Sequence, residues 1–126
     1  MSHVGIVIIS HSEQVAEGVK AIIRQVVEEV PVETAGGTDD GEIGTSLDKI
    51  LNAIDRADAN KGVLLFYDLG SAKMNAEIAI EMCNKENVLL VEAPLLEGAY
   101  IGAVEAGLGK EIVEIVTSIK NSFRNN

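Results

Sequence analysis

Three short runs, Val4 to Ile9, Val63 to Tyr67 and Val88 to Val91, are almost continuously apolar and rich in branched side chains. A strand with one wet face alternates apolar and polar residues, so an unbroken run implies cover on both faces, as in a parallel sheet. A parallel sheet needs crossovers, and the intervening segments supply helical stripes. Val15, Val19, Ile22 and Val26 form one, and Leu47, Ile50, Leu51 and Ile54 form the next. Met74, Ile78 and Met82 form a third, and Ile112, Ile115 or Val116, Ile119 and Phe123 the last. The stretch "IVEIV" from 112 also reads as a short strand.

A fourth, weaker strand, Val32 to Ala35, follows Pro31, contains Glu33 and ends at Gly36 and Gly37, all suited to a sheet edge. Right-handed crossovers then predict an α/β fold: a three-layer sandwich with an open parallel sheet of at least four strands, order 2-1-3-4, and helices on both faces. The 126 residues fit a single domain over 1-126, with a core unit up to about residue 120 and the tail "NSFRNN" read as fraying.

Composition narrows the function classes. Twenty acidic against ten basic residues give a net charge of -10, which repels a nucleic-acid backbone and an anionic membrane surface. Such a surface favours a partner with a basic patch or serves solubility alone. Few aromatic side chains are available for base stacking, and no apolar run reaches the length of a membrane span. One cysteine, Cys83, cannot form an internal disulfide and is read as helix packing; without a leader pattern, a cytoplasmic location is expected.

In open sheets of this order, chemistry collects at the carboxyl ends of the strands where the chain reverses direction. His11 falls there, just past strand 1, with Ser10 or Ser12 placed to cap the next helix. The helix start offers unpaired N–H groups and a positive dipole end to an anion. Asp68 ends strand 3, with Gly70 and Ser71 opening the following helix. Adjacent strands lie about 4.8 Å apart, so the two side chains can meet as a dyad. A carboxylate on one ring nitrogen fixes the tautomer and leaves the other lone pair free as a nucleophile. The loop "GGTDDGEIGTS" approaches from the other side of strand 1, where Gly37 and Thr38 could close on a phosphate. Its Asp39, Asp40 and Glu42 should then face solvent or a basic partner, and Thr45 or Ser46 should start a helix. A strand-end histidine and an aspartate before a turn also have purely structural uses, and the residues alone leave both readings open. His3 lies at the opposite end of strand 1, far from His11.

The segments "VGIVIISHSEQVAEGV", "AGGTDDGEIGTSLDKI", "GVLLFYDLGSAKMNAEIA" and "APLLEGAYIGA" resemble, in that order, the DhaM phosphotransferase subunits of PTS-dependent dihydroxyacetone kinases. They are also similar to the IIA domain of the mannose transporter family. The resemblance covers nearly the whole chain. It implies that His11 accepts phosphate on Nε2 from HPr and passes it to ADP held on the DhaL subunit, with DhaK binding dihydroxyacetone. It also implies that Asp68 orients His11 and that the protein is a homodimer. Ser12, Gly37, Thr38, Gly70 and Ser71 are the expected phosphate-binding residues. No cofactor or metal of its own is expected, and magnesium would travel with the nucleotide on DhaL. Some relatives continue into further phosphotransfer domains; an external carrier is expected here.

Two alternatives stand beside this reading: a mannose-type sugar IIA component passing phosphate to a IIB partner, and a flavodoxin-like ligand-binding module. A P-loop kinase is disfavoured because "GLGKE" at 107 lacks the spacing and the hydroxyl, and no GxGxxG follows strand 1. The small residues Gly98 with Gly102, and Ala99 with Ala103 and Ala106, fit either close packing on the sheet or a contact between two copies.

Overall fold

The computed structural model describes residues 2–124. Its elements alternate as expected: β1 Gly5–Ser10, α1 Glu13–Arg24, β2 Val32–Gly36, α2 Leu47–Ala57, β3 Val63–Tyr67, α3 Gly70–Cys83, β4 Val88–Leu90, α4 Leu95–Gly107 and α5 Ile112–Ser122. The four strands are parallel in the order β2-β1-β3-β4. Ile9 is opposite Tyr67 and Ser10 is opposite Gly36, so the ends of the two central strands and of β2 reach one edge together.

Alternation along β1 divides the core. Ile6 and Ile8 point into a layer under α1, α4 and α5 with Leu64, Phe66, Ile23 and Ile115. Val7 and Ile9 point the other way, with Leu65, Ile50 and Ile54 under α2 and α3. All six β1 residues are buried, which accounts for the run that lacks polar alternation.

One helical stripe is met only in part and another faces away from where its periodicity placed it. In α1 the buried residues are Ala16, Val19 and Ile23, while Val15 and Ile22 are exposed and Val26 lies beyond the helix, also exposed. In α3, Ala72, Ala76 and Ala79 are buried, and Met74, Ile78 and Met82 face out. The reason is distance. The start of α1 lies so close to the end of β2 that only a small side chain fits between: a Cβ on Gly36 would stand 2.8 Å from the Glu13 Cα and 2.9 Å from the Ala16 Cβ, and α3 turns only alanines inward.

The small-residue face of α4 is used on the sheet. A Cβ at Gly102 would lie 3.1 Å from Phe66 Cζ, and one at Gly98 would lie 3.3 Å from the same ring, so both glycines seat α4 on buried Phe66. Residues 112–116 are helical, and α5 runs to Ser122, inside the segment read as frayed. Its capping box, Glu111 with Glu114, and buried Ile112, Ile115 and Ile119 hold it. Residues 125 and 126 of that tail lie outside the described residues. The β4 edge bears exposed Leu89. At the opposite edge, charged side chains drape β2: Arg56 pairs with Glu33, and Lys49 donates to the Gly36 carbonyl at 2.9 Å. No helix among the described residues is long and apolar enough to cross a membrane.

Candidate phosphoryl-transfer site

Burial decides the site from its first residue. Ser10, the last residue of β1, is fully buried, so its hydroxyl must find partners inside the protein. It donates to Asp68 Oδ2 at 2.8 Å and accepts from the Ser12 amide at 3.0 Å. Asp68 follows β3 on the neighbouring strand, where the register places it beside Ser10 and His11. Its Oδ2 also accepts the His11 backbone N–H at 3.0 Å, and its Oδ1 accepts the Leu69 N–H at 2.7 Å. The carboxylate is thereby held before it meets the ring.

The His11 Nδ1 stands 3.0 Å from Asp68 Oδ1. An ionised carboxylate only accepts, so Nδ1 carries the proton and Nε2 presents its lone pair. Burial pushes the Asp68 carboxyl up, but the ring hydrogen bond, the His11 amide, the Ser10 hydroxyl and the Leu69 amide outweigh it, so the group sits below its ordinary value of 3.8. It is charged at neutral pH. Nε2 lies 2.7 Å from Ser71 Oγ, which must donate to it. The side chains of His11 and Asp68 are 18% and 21% exposed, so the ring is gripped along one edge and open along the other.

Ser71 is in the first turn of α3, whose start has no side-chain cap. The Ala72 amide of that turn donates to the Leu69 carbonyl at 2.9 Å, and the Gly70 and Ser71 amides are the ones an uncapped helix start leaves available to an anion. Among the described residues, no three His, Cys, Asp or Glu side chains gather as a metal-binding group.

The family model described as PTS system fructose IIA component, EIIA-man, matches residues 5–116. The chain is 47% identical over 116 residues to the phosphoryl donor subunit DhaM of PEP-dependent dihydroxyacetone kinase 1 from Listeria innocua, covering 92% of each chain. It is 44% identical over 112 residues to the DhaM phosphotransferase subunit of the PTS-dependent dihydroxyacetone kinase from Lactococcus lactis, covering 87% of this chain and 89% of that one. The chain belongs to the EIIA-man family, in its DhaM branch. A crystal structure of the unknown function protein EF1359 is similar over 95% of this chain and 94% of that one, with a TM-score of 0.85 and 36% identity.

Within this DhaM fold, the expected site residues separate into two groups. His11, Asp68 and Ser71 come together, and Gly70 adjoins Ser71 at the start of α3. Ser12, Gly37 and Thr38 are engaged elsewhere. Ser12 caps α1, accepting from the Val15 amide at 3.2 Å. The Gly37 amide donates to the Ser10 carbonyl, and the Thr38 amide and hydroxyl both bond to Glu42. The loop is thus closed on itself, tied to β1 by the Gly44 amide on the His11 carbonyl at 2.8 Å. Asp40 and Glu42 face solvent as expected, while Asp39, also exposed, accepts the hydroxyl of buried Ser46. Ser46 caps α2. Sequence reading took Ser10 only as an alternative cap; the signal that distinguishes it is a hydroxyl closing a strand buried on both faces.

Proposed function

We propose that this protein is the phosphoryl donor subunit of a dihydroxyacetone kinase fed by the PTS, with His11 as the phosphorylated residue. One observation carries the reading: of the two ring nitrogens, Nδ1 is held by a charged carboxylate, and Nε2 faces a single hydroxyl at the solvent edge. The Nε2 lone pair attacks the phosphorus of a phosphohistidine donor; the new N–P bond forms as the donor's N–P bond breaks, and the proton stays on Nδ1. Asp68 fixes the tautomer and balances the positive ring. Ser71 surrenders the lone pair and turns its hydroxyl to a phosphoryl oxygen, joined by the Gly70 and Ser71 amides. Gly37 and Thr38 would reach a phosphate only if the loop opened, and Ser12 would have to leave its cap.

Donor and acceptor use the same face in turn, so docking should be transient. Ile43, Leu69 and Met74 are 77%, 60% and 68% exposed beside the dyad, and the acidic Asp39, Asp40 and Glu42 line the same loop. That combination suits a partner with an apolar patch rimmed by basic residues, as proposed for HPr, and then for DhaL carrying ADP. The exposed Leu89 on the β4 edge, with Ile78 and Met82 on α3, supports the homodimer. A single phosphocarrier domain working in the cytoplasm completes the proposal.

The family model's own description favours one second reading, a sugar-transport IIA component that passes phosphate to a IIB partner. Reconstitution separates the two. Phosphoenolpyruvate, Enzyme I, HPr, this protein, DhaL with ADP and DhaK should together form dihydroxyacetone phosphate, and omission of this protein should stop it. Transfer to IIB without transfer to DhaL would replace the kinase reading with the transport one.

A further inference from the structure

The other histidine also has one nitrogen held and one free. His3 is only 8% exposed, and its Nδ1 stands 2.8 Å from the Ala106 carbonyl in the last turn of α4. A carbonyl only accepts, so Nδ1 carries the proton and Nε2 is an acceptor. Nε2 has no partner among the described residues. Nor is it sealed in protein, because among those residues the one buried side-chain polar atom left unpaired is Glu105 Oε1. It therefore meets the cavity of about 410 Å³ that His3 lines with Ser2, Lys61, Lys110 and Glu111. Lys61 enters from the α2–β3 turn and Lys110 from the α4–α5 turn. Lys110 is 3.5 Å from Glu105 Oε1. The Glu111 carboxylate is turned onto its own helix in the capping box. Two ammonium groups beside one ring nitrogen that only accepts make an unusual lining in a chain of net charge -10.

We propose that this cavity binds phosphate that still carries a hydroxyl, that is, free inorganic hydrogen phosphate. The ammonium groups of Lys61 and Lys110 donate to its unprotonated oxygens, and its O–H donates to His3 Nε2. Sulfate presents the same tetrahedron without a proton at neutral pH, so one of its oxygens would confront the Nε2 lone pair. The site thus discriminates phosphate from sulfate by an acceptor that cannot donate, at the far end of β1 from His11.

The test uses the full chain carrying His11→Ala, which leaves His3 as its only histidine and removes any anion binding at the dyad. Ring nitrogen shifts are followed by NMR at constant ionic strength against inorganic phosphate, methyl phosphate and sulfate. Saturable shifts are expected with phosphate, at least tenfold tighter than with sulfate; methyl phosphate, mainly a dianion without a hydroxyl at neutral pH, should bind more weakly than inorganic phosphate. Lys61→Met should weaken phosphate about tenfold, the loss of one charge-assisted hydrogen bond. His3→Leu removes the ring acceptor and should erase the preference over sulfate when binding is followed by calorimetry, with thermal melts showing that the chain stays folded. Equal affinity for phosphate and sulfate, shifts that chloride reproduces, or unaltered binding in Lys61→Met would each overturn the proposal. Phosphorylation of His11 in the otherwise unaltered chain should not respond to Lys61→Met, so failure here leaves the transfer reading untouched.

Discussion

His3 and His11 stand at the two ends of the same strand, and each keeps one ring nitrogen on a protein acceptor through Nδ1. They differ in what that acceptor is. His3 donates to a neutral carbonyl and is buried; His11 donates to a carboxylate held ionised by three further hydrogen bonds, and part of its ring is open. A carbonyl fixes a tautomer and nothing more. A carboxylate fixes the tautomer and also balances the positive ring that forms when Nε2 acquires a phosphoryl group. Parallel strands place their carboxyl ends, with the helix starts that follow, at one edge, so only the His11 end assembles hydroxyl, carboxylate and amide donors together. The amino-terminal end receives helix carbonyls and turn lysines.

The sharpest way to break the contrast is to delete each histidine. His11→Ala should abolish phosphorylation by Enzyme I, HPr and phosphoenolpyruvate, while His3→Ala should be labelled to the same extent as the parent, measured by radiolabel retained at alkaline pH. The second test weakens the carboxylate: Asp68→Ala should fold yet transfer on the order of 10²-fold more slowly, read in single-turnover kinetics. Transfer at the parent rate would make Asp68 a turn residue. A smaller effect is expected for Ser71→Ala, about tenfold on transfer, because the first-turn amides of α3 remain. Smallest in function is His3→Ala, which should lower stability by about 1–2 kcal/mol in denaturant unfolding through the lost buried hydrogen bond.

Acid offers an independent check on Asp68. Its folded value lies below 3.8, so the carboxylate's contribution to stability is fully present above the ordinary carboxyl range and is lost as pH falls through the folded value. Asp68→Asn should therefore be less stable than the parent at neutral pH, and the gap should narrow as pH falls through 3.8 and close below it. Thermal melts across that range measure it. A gap independent of pH would mean that Asp68 acts by shape alone.

Much of this was legible before any coordinates. The doubly covered strands specified a parallel sheet, the weaker Val32 to Ala35 suited an edge, and that order put the ends of the His11 and Asp68 strands side by side. Two things were not. Hydropathy assigned Val15, Ile22 and Val26 near α1 and the methionines and Ile78 of α3 to the core, but the buried face of α1 is Ala16, Val19 and Ile23 and that of α3 is Ala72, Ala76 and Ala79, whose weak hydrophobicity hides the stripe. The outward Val15, Ile22, Met74 and Met82 are periodic because they share a surface, not because they are buried. The hydrogen bonds of the Gly37–Thr38 loop were equally hidden, since whether an amide turns to a ligand or to its own loop depends on a few dihedral angles that composition does not encode.

The central claim is that Nε2 of His11 is the nucleophile, and the direct measurement is to locate the phosphoryl group after labelling. The peptide spanning residues 1–20 holds both histidines, so fragment ions, collected without acid exposure, must place the added mass. The account predicts one acid-labile phosphoryl group on His11, with phosphorus–nitrogen coupling to Nε2 in labelled protein. A phosphoryl group on His3, or an acid-stable one on Ser71, would contradict it.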